Sequence, residues 1–381
     1  MLKHITRILL GLTFVFSGFV KGIDPWGSAY KFTDYFNAFQ MPWLTHLAFA
    51  LGILLAAAEF AMGTALIFNF FIRLTSWFTL LFMVFFTGLT LVLALTNPVT
   101  DCGCFGDALV ITNWQTFYKN IVLLAIAVFI FIHRKKFKSK SGPMLSIAFT
   151  VMTMVFYFYL VTYSYNHLPI IDFSPYKVGV NIPDAMKIPE GAPKAIYENS
   201  FIYKNIKTGK TREFTEKNYP WKDTVNWKFV KMNDPVIIQK GYTPPIHDFR
   251  IETPEGEDIK DFFLYDDKYT FIVVASNLQK TNKEAMEKVV SLAREAKSRG
   301  YNFFLLTSSS PDSFSDFKNQ TASDFDFFNT DEITLKTIIR SNPGLIILKK
   351  GTILKKYHFN DIPKPEDLDK QLDQQPGSIV K

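Results

Sequence analysis

Cysteine is almost missing from this chain: there are two in 381 residues, and both lie in one heptapeptide, Asp101-Cys102-Gly103-Cys104-Phe105-Gly106-Asp107. Such scarcity excludes a secreted scaffold stapled by several disulfides. A metal site is disfavoured as well, because no histidine lies close and two thiolates alone do not complete a shell of four. His133, His247 and His358 share no metal-type spacing and read as surface or hairpin residues. A nucleic-acid patch is also missing. The net charge is +7, but the densest basic run, Arg134-Lys135-Lys136-Phe137-Lys138-Ser139-Lys140, adjoins an apolar segment. There it acts as an orientation signal and a contact for anionic lipid.

What the chain has in abundance is apolar length. At 381 residues it exceeds one ordinary domain. Residues 1–167 are dense in Phe, Leu, Ala and Val, while the remainder carries most of the charge. A bilayer crossing needs about 20 apolar residues. Five segments qualify, near residues 5–20, 44–68, 72–95, 114–132 and 144–165. The first has Lys3 and Arg7 ahead of an apolar core, as a signal peptide would, but no small-x-small cleavage site follows, so a retained helix is expected.

Basic residues orient the spans, since cytoplasmic loops carry the excess of Lys and Arg. With the N-terminus inside, Lys3, Arg7, Arg73 and the run from Arg134 are cytoplasmic, and only Lys21, Lys31 and Lys119 face out. That arrangement predicts a bacterial inner-membrane protein with the Cys102–Cys104 loop and everything after about residue 165 in the periplasm, an oxidising compartment.

Two residue groups carry candidate chemistry. Cys102 and Cys104 would close a very small ring, and such disulfides tend to be strained and oxidising. Gly103 lets the backbone bring the sulfurs together. Asp101 and Asp107 are expected to raise a thiol pKa. A permanently formed disulfide that pins the loop is the alternative reading. Glu59 lies within the second span, where a carboxylate is costly and must pair or be protonated. It either has a proton-handling role or hydrogen-bonds across a close helix contact made by Ala57, Ala61, Ala65 and Gly63. The candidate catalytic set is therefore Cys102, Cys104, Glu59 and Asp101.

Arg7-Ile8-Leu9-Leu10-Gly11, Ser17-Gly18-Phe19-Val20-Lys21, Asp24-Pro25-Trp26, the Glu59 helix and the Asp101-Cys102-Gly103-Cys104-Phe105-Gly106 loop together resemble the DoxX/MauE group of membrane proteins, the loop pointing to the MauE branch. The resemblance covers about residues 1–135. It implies a four-helix bundle associated with periplasmic thiol–disulfide chemistry, as in maturation of the disulfide-rich methylamine dehydrogenase. It does not carry over a substrate.

Residues 136–167 hold the basic loop and the fifth helix. Residues 168–240 are rich in Pro, Tyr, Trp and Lys, with a β-hairpin around Lys207-Thr208-Gly209-Lys210. Trp221 and Trp227 are expected to pack that unit onto its neighbour. From 241 to 375, strands near 269–275, 301–307 and 325–328 alternate with helices, one opened by a possible capping box at Thr281-Asn282-Lys283-Glu284. Leu345 to Tyr357 closes the domain as a hairpin. The pattern indicates an α/β sandwich.

Pro244-Pro245-Ile246-His247-Asp248-Phe249, Pro254-Glu255-Gly256 and Asn342-Pro343-Gly344 resemble the membrane-anchored thioredoxins of cytochrome maturation, whose cis-proline would fall at Pro343. Their Cys-x-x-Cys belongs where this chain reads Ser276-Asn277-Leu278-Gln279-Lys280. Without cysteine this domain cannot exchange disulfides, and it is expected to hold a periplasmic or membrane protein partner. The whole chain thus reads as an α-helical membrane bundle followed by a periplasmic thioredoxin-like domain. The expected function is assistance to disulfide or electron transfer, the alternative a non-enzymatic membrane scaffold. No cofactor is indicated; a quinone is compatible with a membrane redox protein but no residue pattern supports one.

Overall fold

The computed structural model describes residues 1–138, 142–239 and 241–373. Ser139 and Lys140 of the basic run, Lys240 at an expected boundary, and residues 374–375 at the end of the expected α/β domain lie outside the described residues.

Among the described residues five helices are long and apolar enough to cross a membrane. They are α1 (Leu2–Ile23), α3 (Ala48–Phe68), α4 (Ile72–Thr96), α5 (Asn113–His133) and α6 (Pro143–Asn166). A further helix, α2 (Pro25–Ala38), joins the first two spans. It was not expected, because at 14 residues it is too short and too polar to read as a span. Its start is nonetheless written locally: Asp24 accepts the Gly27 N–H at 2.9 Å, and Pro25 fills the first position, where no N–H is needed. Helix α5 opens on a reciprocal capping box between Thr112 and Gln115.

Helices α1 and α3 approach so closely that side chains are excluded between them. A Cβ on Gly18 would lie 2.7 Å from the Ala56 carbonyl oxygen, and one on Gly63 would lie 2.6 Å from the Val15 nitrogen. The small-residue contact therefore uses Gly11 and Gly18 against Ala56 and Gly63, and not the expected row of Ala57, Ala61 and Ala65, of which Ala61 and Ala65 are only half-buried. Close backbone approach of this kind is how helices associate where water does not drive them together. Gly18→Val should force the pair apart and lower stability by about 1–3 kcal/mol, the usual cost of overpacking. Thermal unfolding in detergent or nanodiscs measures it; an unchanged melting temperature would contradict the contact.

Residues 181–248 form a compact unit of their own. After the short helix α7 (Ile182–Ala185), β1 (Ile196–Glu198) pairs antiparallel with β5 (Val236–Gln239). The expected hairpin is present as β2 (Ser200–Asn205) and β3 (Thr211–Thr215), turning at Gly209 with φ +69°. A third strand, β4 (Trp227–Met232), completes a sheet in the order β3-β2-β4. The tryptophans differ from expectation. Trp227 packs on Phe214 inside this unit, ring centroids 4.9 Å apart, and Trp221 is exposed.

The α/β domain begins with α8 (Lys260–Leu264) and continues β6 (Tyr269–Val274), α9 (Lys283–Ser298), β7 (Asn302–Thr307), α10 (Asp312–Thr321), β8 (Asp326–Asn329), α11 (Glu332–Ile338), β9 (Gly344–Lys349), β10 (Thr352–His358) and α12 (Leu368–Asp373). Its sheet runs β10-β9-β6-β7-β8, with β6, β7 and β8 parallel and β9 and β10 antiparallel to their neighbours. That is a thioredoxin-like order: a parallel strand–helix–strand unit closed by a hairpin. Strands buried on both faces explain the continuous apolar runs Phe271 to Val274 and Phe303 to Leu306. Helix α9 packs Met286, Val289, Val290 and Ala293 on them as the sequence predicts, but its cap is Asn282, which accepts the Ala285 N–H at 3.0 Å, not Thr281. The Asn342–Pro343 bond is cis, as expected. The Asn342 side chain donates to the Asn277 carbonyl at 3.0 Å, so the segment where a Cys-x-x-Cys would stand lies beside the cis-proline loop.

Candidate active site

The cysteine loop connects α4 to α5. Its ends are tied by Asn113, whose side-chain amide donates to Asn97 Oδ1 at 2.9 Å and to the Val99 carbonyl at 2.8 Å. Asp101 shapes the turn: one carboxylate oxygen accepts the Gly103 N–H at 2.8 Å, and the other pairs with Lys31 of α2 at 2.7 Å. Gly103 adopts φ +63°, and a Cβ there would strike the Lys31 side chain at 2.9 Å. Both conditions call for glycine. Tyr35, also from α2, donates to the Cys102 carbonyl at 2.6 Å. So held, the two sulfurs lie 2.8 Å apart as free thiols, Cys102 buried and Cys104 half-buried.

Directly beneath the loop is a buried polar cluster. The Lys21 ammonium of α1 lies 2.8 Å from each oxygen of the Glu59 carboxylate, with side-chain exposures of 12% and 7%. Ser17, one turn before Lys21, has its hydroxyl oxygen 2.8 Å from Glu59 Oε2 and 2.8 Å from the Cys104 carbonyl oxygen. Its single proton serves one acceptor at a time. The cluster thus ends on the backbone of a cysteine. Glu59 therefore pairs inside the bundle, which answers its desolvation cost with a counter-ion.

Electrostatics make the two thiols unequal. The hydrogen bond donated by Cys102 stabilises the Cys104 thiolate; with Lys119 and Lys21 nearby it outweighs burial and pushes the Cys104 pKa down to about 6. The same contact, reinforced by burial, raises Cys102 well above an ordinary thiol. This corrects the expectation that Asp101 and Asp107 would raise a reactive thiol. Asp101 spends its charge on Lys31, and Asp107 pairs with Arg340 at 2.8 Å. The charges that favour the Cys104 thiolate are the cations Lys119 and Lys21, and they outweigh the opposing carboxylate of Glu59.

Arg340 comes from the α/β domain, between α11 and the cis-proline. It contacts Asp24 at 3.0 Å and Asp107 at 2.8 Å. The face of that domain carrying the cis-proline loop therefore packs beside the cysteine loop. A cavity of about 210 Å³ remains there, lined by Lys31, Gly103, Gly106, Asp172 and Arg340 among others. Its wall is held by the half-buried pair of Lys356 and Asp172, 2.5 Å apart. His358 is fully buried at the end of β10, where loss of hydration lowers its pKa to about 4, so it is a neutral core residue and no surface group. Among the described residues no group of three or more His, Cys, Asp or Glu is arranged to hold a metal ion.

All four residues singled out from sequence lie around one loop: Cys102, Cys104 and Asp101 in it, Glu59 beneath it. Ser17, Lys21, Lys31, Tyr35, Lys119 and Arg340 were missed as site residues. One signal for Lys21 was available, since a carboxylate inside a bilayer requires a partner and Lys21 is a basic residue at the end of a span. Nothing local marks Arg340, which lies 316 residues from Asp24 along the chain.

Residues 1–133 match the family described as Methylamine utilisation protein MauE, and residues 197–240 match a domain of unknown function (DUF8463). No curated protein matches the chain. One solved structure that it resembles is the solution structure of a candidate protein disulfide isomerase from Bacteroides thetaiotaomicron, at 12% identity and a TM-score of 0.26, covering 33% of this chain and 82% of that one. The thioredoxin-like assignment rests on the sheet order described above. Residues 1–133 are thus a MauE-like membrane domain, followed by an α/β thioredoxin-like domain.

Proposed function

We propose that this chain is a membrane thiol–disulfide component in which Cys102 and Cys104 cycle between dithiol and disulfide. The observation that carries the reading is the pair of sulfurs 2.8 Å apart, with the cationic groups of Lys119 and Lys21 favouring the Cys104 thiolate. Cys104 is the attacking sulfur. Its thiolate displaces one sulfur of a substrate disulfide, forming a mixed disulfide; Cys102 then loses its proton and attacks Cys104, releasing the second substrate thiol and closing the loop disulfide. In the reverse direction the loop disulfide accepts the electrons. The Ser17–Glu59–Lys21 cluster holds the loop from below and supplies a buried charge pair through which a proton can be stored.

The compartment is the periplasm of a bacterial cell, by the distribution of basic residues. A reporter active only in the periplasm, fused after Tyr165, should be active, and one fused after Lys138 silent. The opposite pattern would move the thiols into a reducing compartment and remove the basis of the reading.

A pH profile tests the chemistry. The thiolate fraction of Cys104 grows as pH rises through about 6, whereas Cys102 remains protonated well past neutrality. In the reduced full-length protein, alkylation should therefore show one site reacting with a midpoint near pH 6, assigned to Cys104 by mass spectrometry. Two sites titrating together as ordinary thiols would contradict it. The scaffold reading is favoured by one observation, the absence of cysteine from Ser276 to Lys280. In that reading the α/β domain only docks a protein partner and the cysteine pair is structural.

A further inference from the structure

The β3-β2-β4 sheet in residues 181–248 has one covered face and one bare one. Side chains alternate between the two faces along each strand, and residues paired across strands share a face. On the covered face Phe201 packs on Tyr219 with ring centroids 4.8 Å apart, Phe214 packs on Trp227 at 4.9 Å, and Tyr203 is buried against Phe214 and Phe229. The bare face carries Lys204, Lys228 and Lys231, all exposed. Lys204 lies directly opposite Lys228, and Lys231 lies opposite Ile202 on the same face. Like charges in such a register repel and cost stability. No carboxylate offsets them. Among the described residues the three lysines make no salt bridge, and Glu213 on the same face is taken by the Ser200 hydroxyl at 2.6 Å and the Asn233 amide at 2.9 Å.

Eight Lys or Arg and three Asp or Glu lie between Ser200 and Met232, so positive charge is in excess over the whole sheet. We propose that the bare face docks on the anionic phospholipid headgroups of the bilayer surface from which α6 emerges. The chain keeps it within range: fully extended, the connection from Asn166 at the end of α6 to Asn181 reaches about 50 Å. The chemistry of the face favours lipid over an acidic protein. Lysine is depleted from protein–protein interfaces, whose energy comes from buried aromatic and Arg anchors. This face offers no such anchor beside its lysines, only the half-buried Ile202. A compact ammonium on a flexible stem suits headgroup phosphates that move laterally, and each lysine near such a surface strengthens attachment about five-fold. An anionic layer also answers the repulsion between Lys204 and Lys228. Attachment of this kind is independent of the thiol chemistry and gives residues 181–248 a role of their own.

The test uses full-length protein in two kinds of nanodisc, one of phosphatidylcholine alone and one an equal mixture of phosphatidylcholine and phosphatidylglycerol. Lysines are acylated with an uncharged N-hydroxysuccinimide ester, and the rate at each site is read by mass spectrometry. Lys204, Lys228 and Lys231 are expected to react about five-fold or more slowly in the mixed discs than in the neutral ones. Lys194, an exposed lysine of the same unit outside this sheet, should react equally in both. Molar salt should abolish the difference. Lys204→Glu/Lys228→Glu, two changes at exposed positions, should leave Lys231 equally reactive in the two discs, and Lys204→Gln/Lys228→Gln should weaken its protection in part. Equal rates for the three wild-type lysines in both discs would overturn the assignment. So would slow reaction in both, which would mean that protein covers the face, or a slowing in the mixed discs that Lys194 shares.

Discussion

Cys102→Ser is expected to accumulate a mixed disulfide through Cys104, and Cys104→Ser is not. In Cys102→Ser the serine hydroxyl still offers a donor to the Cys104 sulfur, and Lys119 and Lys21 remain in place, so Cys104 stays largely thiolate at neutral pH. With the resolving thiol gone, the exchange stops at its covalent intermediate. In Cys104→Ser the remaining Cys102 is buried, where loss of hydration disfavours its thiolate, and it attacks slowly. Both variants should lose disulfide exchange completely, because neither can close the loop. Non-reducing gels of whole cells quenched with acid and alkylated give the measurement. A merely structural disulfide makes a different prediction: reduced stability in both variants, no adduct in either. Equal adducts in the two would contradict the assignment of Cys104 as the attacking sulfur.

The second large effect concerns stability. Lys21→Met should lower it by about 3–5 kcal/mol, because removing one partner of a buried pair leaves an uncompensated charge in a region of low dielectric. The double variant Lys21→Met/Glu59→Leu should recover most of that loss, since an apolar pair carries no desolvation cost. The rule applies here because the ammonium reaches both carboxylate oxygens at 2.8 Å and neither side chain is more than 12% exposed. Unfolding of the wild type, Lys21→Met, Glu59→Leu and the double variant in nanodiscs forms the cycle. Equal stability of Lys21→Met and wild type would mean that water reaches Glu59 and the pair is not buried. Function separates from stability in Glu59→Gln, which keeps hydrogen bonding without the charge. If the cluster stores a proton, that variant should assemble normally and lose turnover.

Much of this architecture was legible one residue at a time. The spans could be read because every backbone group in a bilayer must bond within its own helix, which forces long uninterrupted apolar runs. The α/β order could be read because strands covered on both faces show as short apolar blocks between amphipathic helices. Helix α2 was not legible: it lies between two spans, and only Asp24 and Pro25 announce it. Its contribution to the site was hidden with it, since Lys31 and Tyr35 are two residues about one turn apart on an ordinary helix until the fold sets them against Asp101 and Cys102.

The reactivity of the loop shows where local reading stops. Asp101 and Asp107 are the charges nearest the cysteines in sequence, and from sequence they should suppress a thiolate. In space each is consumed by a cation, Lys31 for one and Arg340 for the other, while Lys119 and Lys21 approach Cys104 from α5 and α1. Coulomb interactions follow distance and dielectric, not order along the chain. By itself, then, the sequence determined that this is a membrane protein of five apolar helices, that its only thiols share one loop, and that its α/β domain has no cysteine. Composition and periodicity suffice for each of those. Which thiol is acidic, which lysine answers Glu59, and which domain face meets the loop were decided only by the tertiary structure, because each depends on charged groups that folding brings together from separate elements.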